Sequence, residues 1–118
     1  MNGEQMDEVV IFYLSFDVDT YTPVTVDLIE KQADCRFVLE PKSDRARDLG
    51  ALFERAIGGS FDNRVVRVKA LGLSAQPIFV DIDGGVLRGK EKRKLPESAF
   101  DALRSMLETM AKQEGCAE

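Results

Sequence analysis

The chain of 118 residues carries 21 acidic and 16 basic residues, a net charge of −5, and 44% of its residues are hydrophobic. These values are ordinary for one soluble globular domain, and we expect a domain over residues 1–118 with its core at 8–111 and loose ends at 1–7 and 112–118. The apolar runs are far shorter than the roughly 20 residues that span a bilayer. The polar, acidic start does not resemble a signal peptide, so the sequence predicts a cytoplasmic protein.

The sequence contains no histidine and no closely spaced pair of cysteines. Histidine is the usual general base and the commonest transition-metal ligand, so its absence argues against an enzyme, and we expect no cofactor. We expect Cys35 to be a small buried apolar residue, and Cys116 lies in a polar tail, so a disulfide is not expected. The acidic net charge argues against general nucleic-acid binding and is compatible with a basic protein partner.

The first half of the chain predicts two strands, each followed by a helix. Thr22 and Pro23 are typical of the start of the first helix, which has a narrow apolar stripe. Ser43 or Asp44 is the expected cap of the second helix, and a glycine pair predicts its end. The predicted elements are a strand at 8–16, a helix at 22–33, a strand at 35–40 and a helix at 43–58.

The stretch from residue 64 to residue 88 has the clearest pattern in the chain. Apolar and polar residues alternate twice, which is typical of strands that place one face on a core. If the two strands pair antiparallel with Val68 opposite Val80, Arg67 lies opposite Asp81 as a favourable cross-strand pair. An Asp-Gly-Gly turn and a short third strand follow, and Pro96 predicts the start of the last helix.

The order of elements is β-α-β-α-β-β-β-α, which predicts an α/β (mixed α+β) fold with helices packed on a mixed sheet. We expect parallel pairing near the start, antiparallel pairing in the hairpin region, and one core. Residues 72 to about 111, with a proline before a strand, a glycine turn, a short strand and a closing helix, are similar to the C-terminal half of thioredoxin-like folds. The alternative is therefore a thioredoxin-like protein without the redox cysteines. The expected core includes Leu14, Leu49, Val66, Val80, Phe100 and Leu103.

The segment IFVDIDGGVL resembles the first motif of haloacid-dehalogenase-type phosphatases. The resemblance implies Asp81 as a nucleophile, Asp83 as a general acid and a magnesium ion beside them. The later motifs of that family have no counterpart in the basic segment and helix that follow, so we interpret Asp81 as the partner of Arg67 and Asp83 as the start of a turn. Asp17 and Asp19 would join these carboxylates in a cation site only if the two strand ends met, which an antiparallel arrangement of the strands prevents.

The segment RGKEKRK at residues 88–94 is the one strongly basic stretch in an acidic chain. It contains no aromatic residue of the kind that stacks on bases, and we expect a solvated loop. The sequence thus favours a non-catalytic macromolecular-binding protein, such as an inhibitor or immunity-type protein for a basic partner, with a magnesium-dependent hydrolase as a further alternative. The candidate contact residues are Asp17 and Asp19 in one segment and Arg88, Lys90, Lys92, Arg93 and Lys94 in the other.

Overall fold

An antiparallel sheet organises the part of the chain that this computed structural model describes, which is residues 8–17, 20 and 22–116. It contains seven strands in the order β2-β1-β4-β5-β6-β7-β3. The strands are β1 (Val9–Tyr13), β2 (Cys35–Leu39), β3 (Ile57–Gly58), β4 (Val66–Leu71), β5 (Ile78–Asp81), β6 (Gly85–Arg88) and β7 (Glu91–Lys94). The helices are α1 (Ile29–Gln32), α2 (Asp44–Glu54) and α3 (Glu97–Glu114).

The mixed α+β class is confirmed, but the parallel pairing predicted near the start of the chain is wrong. β1 and β2 are antiparallel neighbours, and β1 pairs antiparallel with β4 on its other side. Parallel neighbours usually require a crossover helix packed on the sheet, and in its described part the connection from β1 to β2 forms the one-turn helix α1. An isolated bridge between Val24 and Val65 is the parallel contact in the described chain.

The two faces of the sheet are covered differently. Helices α2 and α3 pack on one face, called here the helix face, and their apolar residues form the main core with β1, β2, β4, β5 and β6. The opposite face, called here the open face, carries a second and smaller cluster at one end. That cluster contains Leu14, Val24, Ile29 and Val66, with Phe79 packed against it.

The expectation of one core is therefore wrong in part. Leu49, Val80 and Leu103 lie in the main core, and Phe100 packs against it while remaining partly exposed. Leu14 and Val66, by contrast, belong to the second cluster on the open face. A sheet with a helix layer on one side can bury apolar residues on its other side wherever a connecting segment crosses it, and α1 does so here.

The pairing of β4 with β5 explains the displacement of Val66. Val68 lies opposite Val80 and Lys69 opposite Phe79, as the alternation predicts. The register then shifts between Val66 and Val68, so Asp81 pairs with Val66 and not with Arg67. A bulge inserts one unpaired residue and reverses the alternation beyond it. The predicted Arg67–Asp81 cross-strand pair is therefore wrong.

Several element boundaries differ from the prediction. The helix predicted at 22–33 is reduced to α1, consistent with the low helix propensity of its β-branched residues. Ser43 caps α2 through its side chain, which accepts the backbone N–H of Ala46. That helix ends at Glu54, and β3 replaces its predicted last turn. Helix α3 extends to Glu114, and Gly115 closes it in the left-handed conformation. The loose end expected at 112–118 stays a prediction.

Cys35 and Cys116 form a disulfide across a sequence separation of 81 residues, with Cα atoms 5.7 Å apart. The prediction that Cys35 is buried is confirmed, since 4% of its surface is exposed. The expectation of no disulfide is wrong, because α3 returns its C-terminal end to the start of β2, which sequence spacing does not reveal. The bond therefore joins the last helix to an edge strand on the helix face.

Two further predictions concern the thioredoxin-like alternative and membrane-spanning segments. Pro77 does precede β5, but β7 intervenes between β6 and α3, and the thioredoxin-like alternative is not confirmed. Within the described residues, none of the helices combines the length and apolar character needed to cross a bilayer.

Candidate functional site

The basic segment at 88–94 is a β-hairpin and not a loop. β6 and β7 pair antiparallel around a turn that contains Gly89, which has a φ of 63°. Leu87 lies opposite Lys92 and Val86 opposite Arg93. Because Val86 is in the main core, the arginine faces the helices and the lysine faces the opposite side. The hairpin therefore divides the predicted basic cluster between the two faces of the sheet.

The two arginines of the segment are held by acidic groups on the helix side. Arg88 contacts Glu54 at 3.6 Å and Glu91 at 3.9 Å. Arg93 binds Glu91 at 2.5 Å and also donates to the carbonyl of Ala56 at 3.3 Å. The hydrogen bond with Arg93 lowers the pKa of Glu91 and raises that of Arg93. These arginines therefore join the hairpin to α2 and β3, which makes them structural.

The lysines of the segment have a different environment. Lys90 lies in the turn between β6 and β7 and is exposed. Lys92 and Lys94 occupy alternate positions of β7 on the open face, where Lys94 lies opposite both Gly85 and Ile57. Both lysines are exposed. Their ammonium groups are thus available on a surface that α2 and α3 do not cover.

The open face carries one row of residues that crosses six neighbouring strands, called here the basic–aromatic row. Each member lies directly opposite the next in the pairing of adjacent strands. Strand spacing of about 4.8 Å gives the row a length of about 24 Å. In order across the sheet the members are Arg36, Phe12, Lys69, Phe79, Leu87 and Lys92.

Cations and rings within this row contact one another. The guanidinium carbon of Arg36 lies 6.0 Å from the ring centroid of Phe12. The ammonium nitrogen of Lys69 lies 5.6 Å from the centroid of Phe79 and 2.5 Å from a carboxylate oxygen of Glu30. Such cation–π contacts contribute about 0.5–1 kcal/mol at exposed sites and fix the positions of the side chains. The row is therefore an ordered surface of alternating charge and apolar area.

A second, aliphatic row runs beside it. Val38, Val10 and Leu71 lie opposite one another on β2, β1 and β4. Val38 is 44% exposed, which is unusual for a large aliphatic residue in a strand. Apolar area with a polar rim is typical of an interaction surface. The two rows together form the strongest candidate contact surface of the described chain.

The predicted acidic contact segment is only partly described. Asp17 is exposed and accepts a hydrogen bond from Arg104 of α3 at 2.9 Å. The same guanidinium group lies 5.5 Å from the ring of Phe16 and 3.8 Å from Glu108. Asp17 is thus paired with a residue of α3, while its side chain remains 74% exposed. Asp19 lies outside the described residues.

Asp81 is a structural residue of the turn between β5 and β6. It is 3% exposed, and its Oδ1 accepts the backbone N–H groups of Asp83 at 2.8 Å and Gly85 at 2.7 Å. Its Oδ2 accepts the backbone N–H of Asp62 at 2.8 Å. A nucleophilic carboxylate requires an oxygen that can reach a substrate, and both oxygens of Asp81 are occupied by the backbone. The phosphatase-like motif therefore organises a turn in this fold.

Asp17 follows β1, and Asp81 and Asp83 lie at and just after the end of β5, and these two strands end at the same end of the sheet. β1 and β5 each pair antiparallel with β4, so they run in the same direction, contrary to the antiparallel arrangement considered above. Asp17 nevertheless pairs with Arg104 of α3, and Asp81 accepts hydrogen bonds from the backbone of the turn that follows β5. The described residues contain no group of three or more acidic, cysteine or histidine residues that could hold a metal ion.

An open cleft beside this turn is lined by Asp62, Asp83 and Lys94, among others. Hydrogen bonds from Arg64 lower the pKa of Asp62, so this carboxylate is ionised and engaged at neutral pH. The cleft contains no activated nucleophile among the described residues that line it. Most of its lining residues belong to the loop between β3 and β4.

Comparison of the chain with protein-family models, with curated proteins and with solved structures found no match. The candidate surface therefore rests on its own geometry and charge.

Proposed function

We propose that this protein binds another macromolecule without chemistry of its own, and that the open face of its sheet is the contact surface. The single observation that carries this proposal is the basic–aromatic row, which presents ordered cations and apolar side chains on a face that α2 and α3 leave uncovered. The aliphatic row beside it adds apolar area of the kind that interfaces bury.

The charge of this face favours an anionic partner. The basic partner expected from the net charge would contact Asp17 and Asp19, but Asp17 is already paired with Arg104. On the open face the outward strand positions carry Arg36, Lys92 and Lys94, which are exposed, and Lys69, which is paired with Glu30. Complementary charge between two surfaces speeds their encounter and fixes their orientation. An inhibitor of a basic protein remains a prediction, and the geometry gives it less support than an anionic partner.

The cellular compartment of the protein is a separate question from its contact surface. The cytoplasmic location stays a prediction, and the Cys35–Cys116 bond argues against it, because disulfides persist mainly in oxidising compartments. The bond lies on the helix side of the sheet, so it does not cover the open face.

A comparison of two charge reversals tests the proposal. Lys92→Glu changes the open face, whereas Arg47→Glu changes the outer surface of α2, where the arginine side chain is 69% exposed. Both variants alter the net charge equally, so long-range repulsion is matched. We expect proteins or nucleic acids retained from a lysate by the immobilised wild type to be retained by the Arg47 variant and lost by the Lys92 variant.

The opposite pattern rejects the proposal. If the material retained by the wild type is lost with Arg47→Glu and kept with Lys92→Glu, the contact surface lies on the helix side.

A further inference from the structure

Building on the proposed function, we propose that the open face binds single-stranded nucleic acid, with Phe12 as the stacking ring and Arg36, Lys92 and Lys94 as the phosphate contacts. The basic segment alone lacks aromatic residues, which argues against this partner when the sequence is considered by itself. The sheet supplies them, because strands far apart in sequence place Phe12 and Phe79 between the cations. Proteins that bind single strands combine these two features.

The local charge is favourable although the chain as a whole carries −5. The outward positions of the seven described strands hold four cations, Arg36, Lys69, Lys92 and Lys94. The carboxylate among those positions is Asp81, which is buried and accepts three backbone N–H groups. Glu30 of α1 adds a second carboxylate on this face and pairs with Lys69 at 2.5 Å, which leaves Arg36, Lys92 and Lys94. Because screening limits the influence of distant charges to about 8–10 Å at physiological salt, a strand bound along Arg36, Lys92 and Lys94 experiences mainly these local cations.

The ring positions favour unpaired bases over other anionic ligands. A base can stack on an aromatic side chain only when its face is free, which is the case in a single strand and not in a duplex. An acidic peptide would pair with the cations but gain no base stacking from Phe12. A second copy of the protein would oppose cations to cations across the row.

The two rings do not contribute equally. Phe79 packs against the second cluster and its ring lies beside Lys69, which Glu30 holds at 2.5 Å. Phe12 lies outside that cluster, and the guanidinium carbon of Arg36 lies 6.0 Å from its ring centroid. We therefore assign the main stacking contact to Phe12 and expect Phe79 to contribute less.

Fluorescence anisotropy with a labelled oligothymidylate of about twelve nucleotides tests the inference, since sites of this kind cover about 4–16 nucleotides. Three phosphate contacts predict a slope of about −2 for the logarithm of the binding constant against that of the salt concentration. Affinity should therefore fall about 15-fold between about 50 and 200 mM salt. A duplex of the same length should bind more weakly than the single strand.

Variants separate stacking from charge. Phe12→Leu keeps apolar bulk and removes the ring, and should weaken binding by about 5- to 100-fold. Lys92→Gln should reduce the magnitude of the salt slope by about 0.7, whereas the matched Arg47→Gln on α2 should leave affinity and slope unchanged. Urea unfolding of each variant identifies any loss that comes from a damaged fold.

Three results overturn the inference: no binding of the oligothymidylate by the wild type, equal binding by a folded Phe12→Leu variant, or equal competition by polyglutamate. The last result indicates an acidic protein partner. The capture comparison of Lys92→Glu with Arg47→Glu decides separately whether the open face is the contact surface, so the nucleic-acid inference can fail while the proposed function stands.

Discussion

Asp81 connects three parts of the backbone through one carboxylate. Its two oxygens accept N–H groups from the loop before β4, from the turn after β5 and from the first residue of β6. Gly85 is required beside it, since a Cβ at that position would lie 2.4 Å from both the Asp81 Oδ2 and the Ser60 carbonyl oxygen. Buried backbone N–H groups require hydrogen-bond acceptors, and the Asp81 carboxylate supplies them here. This role explains the acidic residue in the motif.

Asp81→Asn should destabilise the fold by about 2–3 kcal/mol. The amide that replaces one oxygen cannot accept the N–H of Asp62, so a donor loses its partner and the charge-assisted bonds weaken. Urea unfolding measures the change. Asp83→Asn is the matched control two residues away, and because Asp83 is exposed it should change stability by less than about 0.5 kcal/mol. Equal effects at the two positions would show that the carboxylate of Asp81 has no special role.

At the scale of elements, β4 and β5 form the centre of the sheet, with strands paired on both outer sides. Val80 is fully buried in the main core and lies opposite Val68 on β4 and Val86 on β6. Val80→Ala should therefore cost about 2–3 kcal/mol, because the neighbouring strands cannot close around the space left behind. Val38→Ala at the edge strand, where the side chain is 44% exposed, should cost much less, and equilibrium unfolding compares the two.

The elements that sequence could predict are those whose pattern is local. The register of Val68 to Ala70 on β4 against β5 follows from the alternation of apolar and polar residues. The start of α2 follows from Ser43, whose hydroxyl oxygen accepts a backbone N–H group. The bulge at Val66/Val68 has no such pattern, since the alternation in the sequence continues through it. The strand β7 has a polar, low-propensity sequence, and it forms because β6 and β3 pair with it on both sides.

Apart from the pairing of Lys69 with Phe79, the candidate surface could not be predicted for the same reason. The members of the basic–aromatic row come from six strands, and no two of them lie close in sequence except Leu87 and Lys92. Their juxtaposition depends on the strand order and on the side to which each residue points. The sequence gives the alternation within a strand, but the order of strands depends on tertiary packing.

At the scale of the whole molecule, the two sides of the sheet differ in charge and in covalent constraint. The helix side holds the ion pairs of Arg88, Arg93 and Arg104 with acidic partners. It also holds the disulfide that joins β2 to the end of α3. The open face carries exposed lysines and apolar area. A protein built in this way has a rigid, closed side and a side on which charge and apolar surface are available for contact.

The disulfide should account for a large part of the stability. Cys35 and Cys116 close a loop with a sequence separation of 81 residues, and loop-closure entropy predicts a contribution of about 4–5 kcal/mol from a loop of that size. Cys35→Ala combined with Cys116→Ser should therefore lower the free energy of unfolding by roughly that amount, and a reductant should destabilise the wild type in a similar way. The double variant is the control, because it should not respond to the reductant. Thiol titration of the unfolded wild type, before and after reduction, counts the cysteines directly. Two free thiols before reduction, with no effect of the reductant on unfolding, would contradict the disulfide and restore the expectation of reduced cysteines.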